Sequence, residues 1–177
     1  MMTVFLEFVR RLSKLCGVFA VVLLIAAVLA VCHLVFVRYV LGASAIWQHE
    51  FVTFSLIGAT FFGGPYLLLT HGHVNVDLLP MYLGRRGRLA LALLASVLSL
   101  AFCLVIAWTG FEWWAEAWDN GWRAETVWAP PLWIPYLAMP VALALMALQY
   151  VADILALIAG RAMPFGMRDE RAGGGAP

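Results

Sequence analysis

The chain has little charge for its length. Only 12% of its 177 residues are charged, the formal net charge is +1, and 64% of the residues are hydrophobic. Soluble domains have about 25% charged residues and are about half apolar. The composition therefore predicts an integral membrane protein. Because no basic surface is available to neutralise phosphates, nucleic acid is not an expected partner.

Motifs of the common enzyme and nucleotide-binding classes are also missing. The sequence has no Walker A loop, no glycine-rich dinucleotide fingerprint and no GxSxG nucleophile motif. Its three cysteines, Cys16, Cys32 and Cys103, are far apart in apolar segments and form no CxxC or other metal-binding spacing. We therefore expect no enzymatic activity, no cofactor and no metal site.

Four stretches without Asp, Glu, Lys or Arg are long enough to cross about 30 Å of hydrocarbon. They are Leu15–Val37, Phe51–Val76, Leu89–Phe111 and Thr126–Ala152. The sequence thus predicts an all-α integral membrane protein with four transmembrane helices. We expect residues 1–160 to form a single four-helix membrane domain and residues 161–177 to form a short, disordered cytoplasmic tail.

The basic residues predict the orientation in the membrane. Nine of the eleven Lys and Arg residues precede span one, separate spans two and three, or follow span four, which leaves only Arg38 and Arg123 on the other side. The positive-inside rule then places both termini in the cytoplasm. All eight tryptophans fall at or near the opposite, outer side. This one-sided cluster indicates a surface that either lies in the lipid headgroups or meets a partner.

Two opposite charges flank the predicted turn between spans one and two. Gly42 is a suitable C-cap for the first helix, and Ser44 is a suitable N-cap for the second. This turn places Arg38 and Glu50 at similar depth on neighbouring helices. Ionisable residues so close to hydrocarbon are costly and usually have a partner. We expect a structural ion pair between Arg38 and Glu50, and direct contact with substrate, ion or partner is the alternative.

Small residues in span two predict a close helix contact. Gly63 and Gly64 precede Pro65, a combination that allows a kink and a close approach of another helix. That helix belongs either to this chain or to a larger membrane partner. We expect Gly63 and Gly64 to contact the partner, together with Trp47 at the start of the span.

The segment after span two predicts a short element in the membrane interface. His73 and Asp77 form a polar cap, and apolar residues then lead to Arg85 and Arg86. Apolar residues followed by arginines suit an element that lies along the membrane surface. The spacing of the two histidines in this segment gives no convincing metal site.

The outer end of span three combines acidic and aromatic residues. Glu112, Glu116 and Asp119 share roughly one helical face at i, i+4 and i+7, with tryptophans between them. We call these three acids the acidic ledge. The pattern fits either a plain interfacial helix end or a surface that a protein outside the membrane touches, and we expect the second.

Several of these motifs together resemble a known family. They are Arg38-Tyr39, then Gly42, Ser44, Trp47 and Glu50 across the first hairpin, Phe62-Gly63-Gly64 in span two, and Gly72-His73-Val74-Asn75-Val76-Asp77-Leu78-Leu79 after it. In this order they resemble the small membrane subunit (DctQ-type) of TRAP transporters, the tripartite ATP-independent periplasmic transporters. The resemblance runs from about Leu12 to about Gly160.

The resemblance implies a scaffold subunit in the bacterial inner membrane. In that family a large multispan permease subunit carries substrate and sodium, and a periplasmic substrate-binding protein delivers an organic anion. The small subunit is then expected to brace the large subunit during ion-coupled uptake, commonly with Na+, while membrane lipid surrounds both. The resemblance also implies a horizontal arm after span two.

Two alternatives stay open at this point. One is a haem- or quinone-linked membrane anchor of a redox complex, because small four-helix membrane subunits can hold haem between two histidines. His33 in the outer half of span one and His49 near the outer start of span two are the conceivable pair. The other alternative is a stand-alone protein with four spans.

Overall fold

The computed structural model describes residues 2–70 and 85–158. The regular structure in this part of the chain consists of four helices, α1 (Met2–Tyr39), α2 (Gln48–Leu69), α3 (Arg85–Asp119) and α4 (Trp133–Ile158). Each helix is long and apolar enough to cross a membrane. The predicted all-α fold with four membrane spans is therefore confirmed, and the cytoplasmic location of both termini stays a prediction.

Two of the helices are longer than a bilayer requires. α1 has 38 residues and α3 has 35, which correspond to about 57 Å and about 53 Å at 1.5 Å per residue. The hydrocarbon layer is only about 30 Å thick. The basic cluster of Arg10, Arg11 and Lys14 is therefore part of α1 itself, and the acidic ledge lies on the last turns of α3, as the sequence predicts.

The helices form two hairpins that pack against each other through α2 and α4. α1 packs along α2, and α3 packs along α4. α4 also contacts α2 and, less extensively, α1. α4 is therefore the central helix of the described structure, whereas α3 lies at its edge with α4 as its main neighbour.

Small residues allow the helices to approach closely. A Cβ atom added to Gly17 of α1 would lie 2.5 Å from Cγ of Tyr66 on α2, and one added to Gly64 of α2 would lie 2.8 Å from Sδ of Met146 on α4. Lipid tails are as apolar as leucine, so helices in a bilayer associate through close van der Waals packing instead of hydrophobic burial. The glycines supply that packing at the α1–α2 and α2–α4 contacts.

A buried hydrogen-bonded chain joins α1 to α4. The Oγ atom of Ser13 donates to Oε1 of Gln149 at 3.1 Å, and Nε2 of Gln149 donates to Oδ1 of Asp153 at 3.1 Å. Ser13 and Gln149 are only 3% and 5% exposed. Polar side chains in an apolar surrounding need such partners. These hydrogen bonds therefore fix how α1 lies against the central helix.

The first loop differs from the predicted turn. Gly42 has φ +62° and follows the end of α1 at Tyr39, as expected of a glycine that terminates a helix. The prediction that Ser44 is the N-cap of α2 is wrong, because α2 begins at Gln48 with Trp47 in the N-cap position. The loop therefore covers residues 40–47, which is longer than the predicted turn.

The second loop, residues 120–132, is held together by hydrogen bonds across its base. The amide of Ala124 donates to the carbonyl of Pro130, and the amide of Leu132 donates to the carbonyl of Trp122, both at 3.0 Å. These bonds cross the loop instead of running along a helix. Thr126 therefore does not start the fourth span, which begins at Trp133.

Two predicted features fall outside the described residues. These are the interfacial segment with His73 and Asp77, and the tail at residues 161–177. Arg85 and Arg86 open helix α3, but their side chains are also outside the described part. The interfacial role of all four residues stays a prediction.

Candidate functional site

The two described loops meet at one end of the molecule. The ring centroids of Trp47 and Trp128, one from each loop, lie 6.4 Å apart at an interplanar angle of 61°. We call this end the tryptophan-rich end, which comprises loops 40–47 and 120–132 and the helix ends beside them. The structure thus brings tryptophans of both hairpins together, and their location on the outer side of the membrane stays a prediction.

Further aromatic contacts extend from this meeting point into both hairpins. Trp47 packs on Phe51 of α2 at 5.8 Å and on His33 of α1 at 5.9 Å between ring centroids. Trp118 of α3 packs on Trp133 of α4 at 4.8 Å. Each such pair contributes about 0.5–1.5 kcal/mol beyond the area it buries. Aromatic contacts therefore hold both the hairpins and the junction between them.

The predicted ion pair between Arg38 and Glu50 is not formed. Among the described residues the only salt bridge joins Glu7 and Arg11. Arg38 is exposed in the last turn of α1, whereas Glu50 lies in the first turn of α2 and its Oε2 atom is buried without a hydrogen-bond partner. The pairing assumed a tight turn, and loop 40–47 replaces that turn. This conformation therefore lacks the ion pair, and its formation in the membrane stays a prediction.

Arg38 instead borders a small cavity at the tryptophan-rich end. The volume of the cavity is about 260 Å³. Its lining combines apolar and polar side chains from α1, the first loop and α2: Leu34, Arg38, Ala43, Ser44, Ala45 and His49. We call it the Arg38 cavity.

A polar contact that was not predicted ties α1 to α2 beside this cavity. The side-chain amide of Gln48 donates through Nε2 to Nδ1 of His33 at 3.3 Å. Gln48 is only 3% exposed, and its Oε1 atom is buried without a partner. His33 is therefore held in place by an amide. The sequence signal for this contact is a lone amide at the start of an apolar span, which does not indicate by itself which histidine it meets.

The glycines predicted to contact a partner have different surroundings. Gly64 packs against Met146 of this same chain, as described above. Gly63 has more room, because an added Cβ atom would come no closer than 4.0 Å to Cβ of Ala20. Trp47 keeps 40% of its surface exposed despite its ring contacts. Contact of Trp47, Gly63 and Gly64 with a partner stays a prediction.

The acidic ledge is exposed along the last turns of α3. Glu112 accepts a hydrogen bond from Nε1 of Trp108 at 2.9 Å. Within residues 2–70 and 85–158, the carboxylates of Glu116 and Asp119 have neither a hydrogen bond nor an ion pair. Two negative charges are thus available on the surface of the tryptophan-rich end.

Clusters of metal-ligating side chains are not found in the described part of the chain. No group of three or more His, Cys, Asp or Glu side chains comes together there in a way that could hold a metal ion. The polar groups of the described spans are few, and several of them bond to one another.

The fold and the tryptophan-rich end define a membrane protein with four spans, an apolar body and a polar surface rich in tryptophan. Residues 27–160 match the family described as tripartite ATP-independent periplasmic transporters, DctQ component. Because the match covers most of the chain, the chain belongs to the DctQ family. A comparison with curated proteins finds no match.

Family membership settles the broad class of the protein. A DctQ component is part of a tripartite transporter and not an enzyme at the level of the family. Together with the apolar helices, membership indicates a multi-pass membrane protein. It does not favour the alternative of a redox-complex anchor, for which His33 and His49 were the conceivable haem ligands.

Proposed function

We propose that this chain is the small membrane subunit that scaffolds the large permease subunit of a TRAP transporter. The transporter takes up an organic anion in symport with sodium, and a periplasmic binding protein delivers the anion. The chain resides in the bacterial inner membrane with both termini in the cytoplasm. The observation that carries the proposal is the DctQ match over residues 27–160.

The character of the helix contacts supports a scaffold role. Gly17 and Gly64 hold α1, α2 and α4 at short distances, and the bond from Ser13 to Gln149 joins α1 to α4. Close packing of this kind resists relative movement of the helices. Transporters that carry substrate by themselves usually have broken helices around a polar site at the middle of the membrane. The described spans have few polar groups of this kind, so substrate transport is assigned to the large subunit.

The acidic ledge supports a second contact, with the binding protein. Glu116 and Asp119 are exposed, lack protein partners in the described structure and lie beside the exposed Trp118. Surface charges of this kind steer a soluble partner and set its orientation more than they add affinity. We therefore assign the acidic ledge to the docking of a binding protein that carries basic residues on its facing surface.

Transport measurements test the proposed function. Vesicles are prepared from native membranes with and without this chain, supplied with the binding protein, and tested with a panel of radiolabelled mono- and dicarboxylates. We expect at least one carboxylate to accumulate only when the chain is present, and only under an inward sodium gradient. Uptake that is unchanged without the chain, or that needs ATP instead of an ion gradient, would contradict the proposal.

A further inference from the structure

The Arg38 cavity contains hydrogen-bond donors that the protein does not use. Arg38, Ser44 and His49 line it. In the part of the chain that the structure describes, the side chains of these three residues make neither a hydrogen bond nor an ion pair, and the Thr53 hydroxyl bonds only to the backbone carbonyl of His49. An arginine offers several N–H donors in a planar fork that matches the oxygens of a phosphate or carboxylate group. A guanidinium at the edge of the hydrocarbon layer needs an acceptor, because a charged side chain without a partner is costly there.

The local charge of the cavity favours an anion. His49 belongs to the first turn of α2, and the N-cap residue Trp47 makes no side-chain hydrogen bond to that turn. The free amides at a helix start carry partial positive charge. Glu50, in the same turn, is not among the residues that line the cavity. The lining thus presents a guanidinium, a hydroxyl and an imidazole, but no carboxylate.

The size and surroundings of the cavity indicate which anion it takes. Its volume of about 260 Å³ lies below the range of about 300–1,000 Å³ that is usual for small-molecule pockets, so it suits a single headgroup. The loop beside it exposes apolar side chains, with Tyr39, Val40 and Leu41 at 81%, 65% and 62%. Arg38 itself lies in the last turn of a helix that is long and apolar enough to cross the membrane. An anion at this boundary therefore lies at headgroup level, next to apolar side chains that suit the acyl chains of a lipid.

From these observations we propose that the Arg38 cavity binds the phosphate group of a membrane phospholipid. Arg38 binds the two charged oxygens of the phosphodiester, Ser44 and His49 donate further hydrogen bonds to the same two oxygens, and the acyl chains run along Leu34 of α1. This site provides Arg38 with an acceptor other than Glu50. It also anchors the first hairpin at a defined depth in the membrane.

Lipid titrations followed by native mass spectrometry test this site in the purified full-length chain. The probes are dioctanoyl phosphatidylglycerol, dioctanoylglycerol, which lacks the phosphate, and inorganic phosphate. We expect the phosphatidylglycerol to bind, the other two to bind far more weakly, and Arg38→Gln to weaken phosphatidylglycerol binding by at least about tenfold. Arg123→Gln, in the other loop, is the matched control and leaves the affinity unchanged.

Further variants keep the test decisive if Arg38→Gln does not fold. Ser44→Ala and His49→Leu each remove one donor, and each is expected to weaken binding about threefold. Glu50→Gln is expected to have no effect, whereas it would strengthen binding if Glu50 competed for Arg38. The proposal is overturned if dioctanoylglycerol binds as tightly as the phospholipid, or if none of the three cavity variants weakens binding. Tight binding of inorganic phosphate that depends on Arg38 would assign the site to free phosphate and overturn the lipid assignment.

Discussion

Trp47 and Trp128 join the two helical hairpins, with ring centroids 6.4 Å apart. They belong to loops that are far apart in the sequence, so their contact depends on how the hairpins pack. Trp128 is 43% exposed and Trp47 is 40% exposed, which leaves part of both rings open to lipid or a partner. The same pair therefore serves as an internal junction and as part of the surface.

Replacing either member of this pair is expected to loosen the junction. Trp128→Ala and Trp47→Ala should each lower the thermal unfolding temperature in detergent, by an amount that corresponds to about 1–3 kcal/mol, because both ring contacts and buried area are lost. Trp113→Ala is the matched control, since that ring is 68% exposed. Equal losses in all three variants would show that the contact between the rings does not stabilise the fold.

Substitution of glycines is expected to distinguish internal packing from partner contact. Gly17→Ala should destabilise the isolated chain by about 1–3 kcal/mol, because the new Cβ would lie 2.5 Å from the ring of Tyr66. Gly63→Leu is the informative counterpart. An added Cβ has room there, so the larger side chain should affect recovery of the large subunit more than stability. The measurements are thermal unfolding of the chain alone and co-purification of the partner. Loss of stability in Gly63→Leu without loss of the partner would contradict its assignment to the interface.

The buried polar chain between α1 and α4 is expected to be cooperative. Ser13→Ala leaves Oε1 of Gln149 without its donor, and a double-mutant cycle with Gln149→Leu should give a coupling free energy of about 0.6–1.7 kcal/mol. Thr109→Val is the control, because Thr109 is exposed and bonds only to carbonyls of its own helix. A coupling free energy near zero would show that the bond does not hold the two helices together.

Charge reversal on the acidic ledge is expected to weaken docking of the binding protein. Glu116→Lys combined with Asp119→Lys should reduce the association rate by about tenfold at low salt, and the effect should shrink as salt screens the charges. Surface plasmon resonance of the assembled transporter against its binding protein measures this rate. Glu7→Gln is the control, because Glu7 lies near the start of α1 and not on the acidic ledge at the end of α3. Normal docking of the double variant would remove the acidic ledge from the interface.

The orientation in the membrane is expected to follow the basic residues. A cysteine at Val127, which is 87% exposed, should react with a membrane-impermeant maleimide in intact cells. A cysteine at Gly174 should react only after the cells are opened. The parent chain, whose three cysteines lie in the spans, provides the background. The reverse pattern would place both termini outside.

The four spans are predictable from the sequence because the free energy of burial in lipid depends mainly on long uncharged stretches. Their ends are less predictable. Neither proline nor glycine interrupts residues 2–14, so α1 starts well before its apolar core. Ser44 has the right chemistry for an N-cap, but the helix starts at Gln48. A capping residue shows where a helix can begin, and packing decides where it does begin.

The candidate site is only partly predictable for the same reason. The clustering of tryptophans at one end and the exposed ledge of Glu116 and Asp119 follow from spacing along single helices. Two contacts depend on how separate elements pack together, which no local sequence pattern encodes. They are the contact of Gln48 with His33 and the contact of Trp47 with Trp128. The predicted pairing of Arg38 with Glu50 depends on a tight turn between α1 and α2, and the structure has the longer loop 40–47 there.

The most direct test of the scaffold role is affinity purification of this chain from its native membranes in mild detergent, with mass spectrometry of every stoichiometric partner. We expect a large multispan permease at a fixed ratio to the chain. Recovery of a redox enzyme, or of the chain alone under conditions that preserve other membrane complexes, would contradict the assignment to a TRAP transporter.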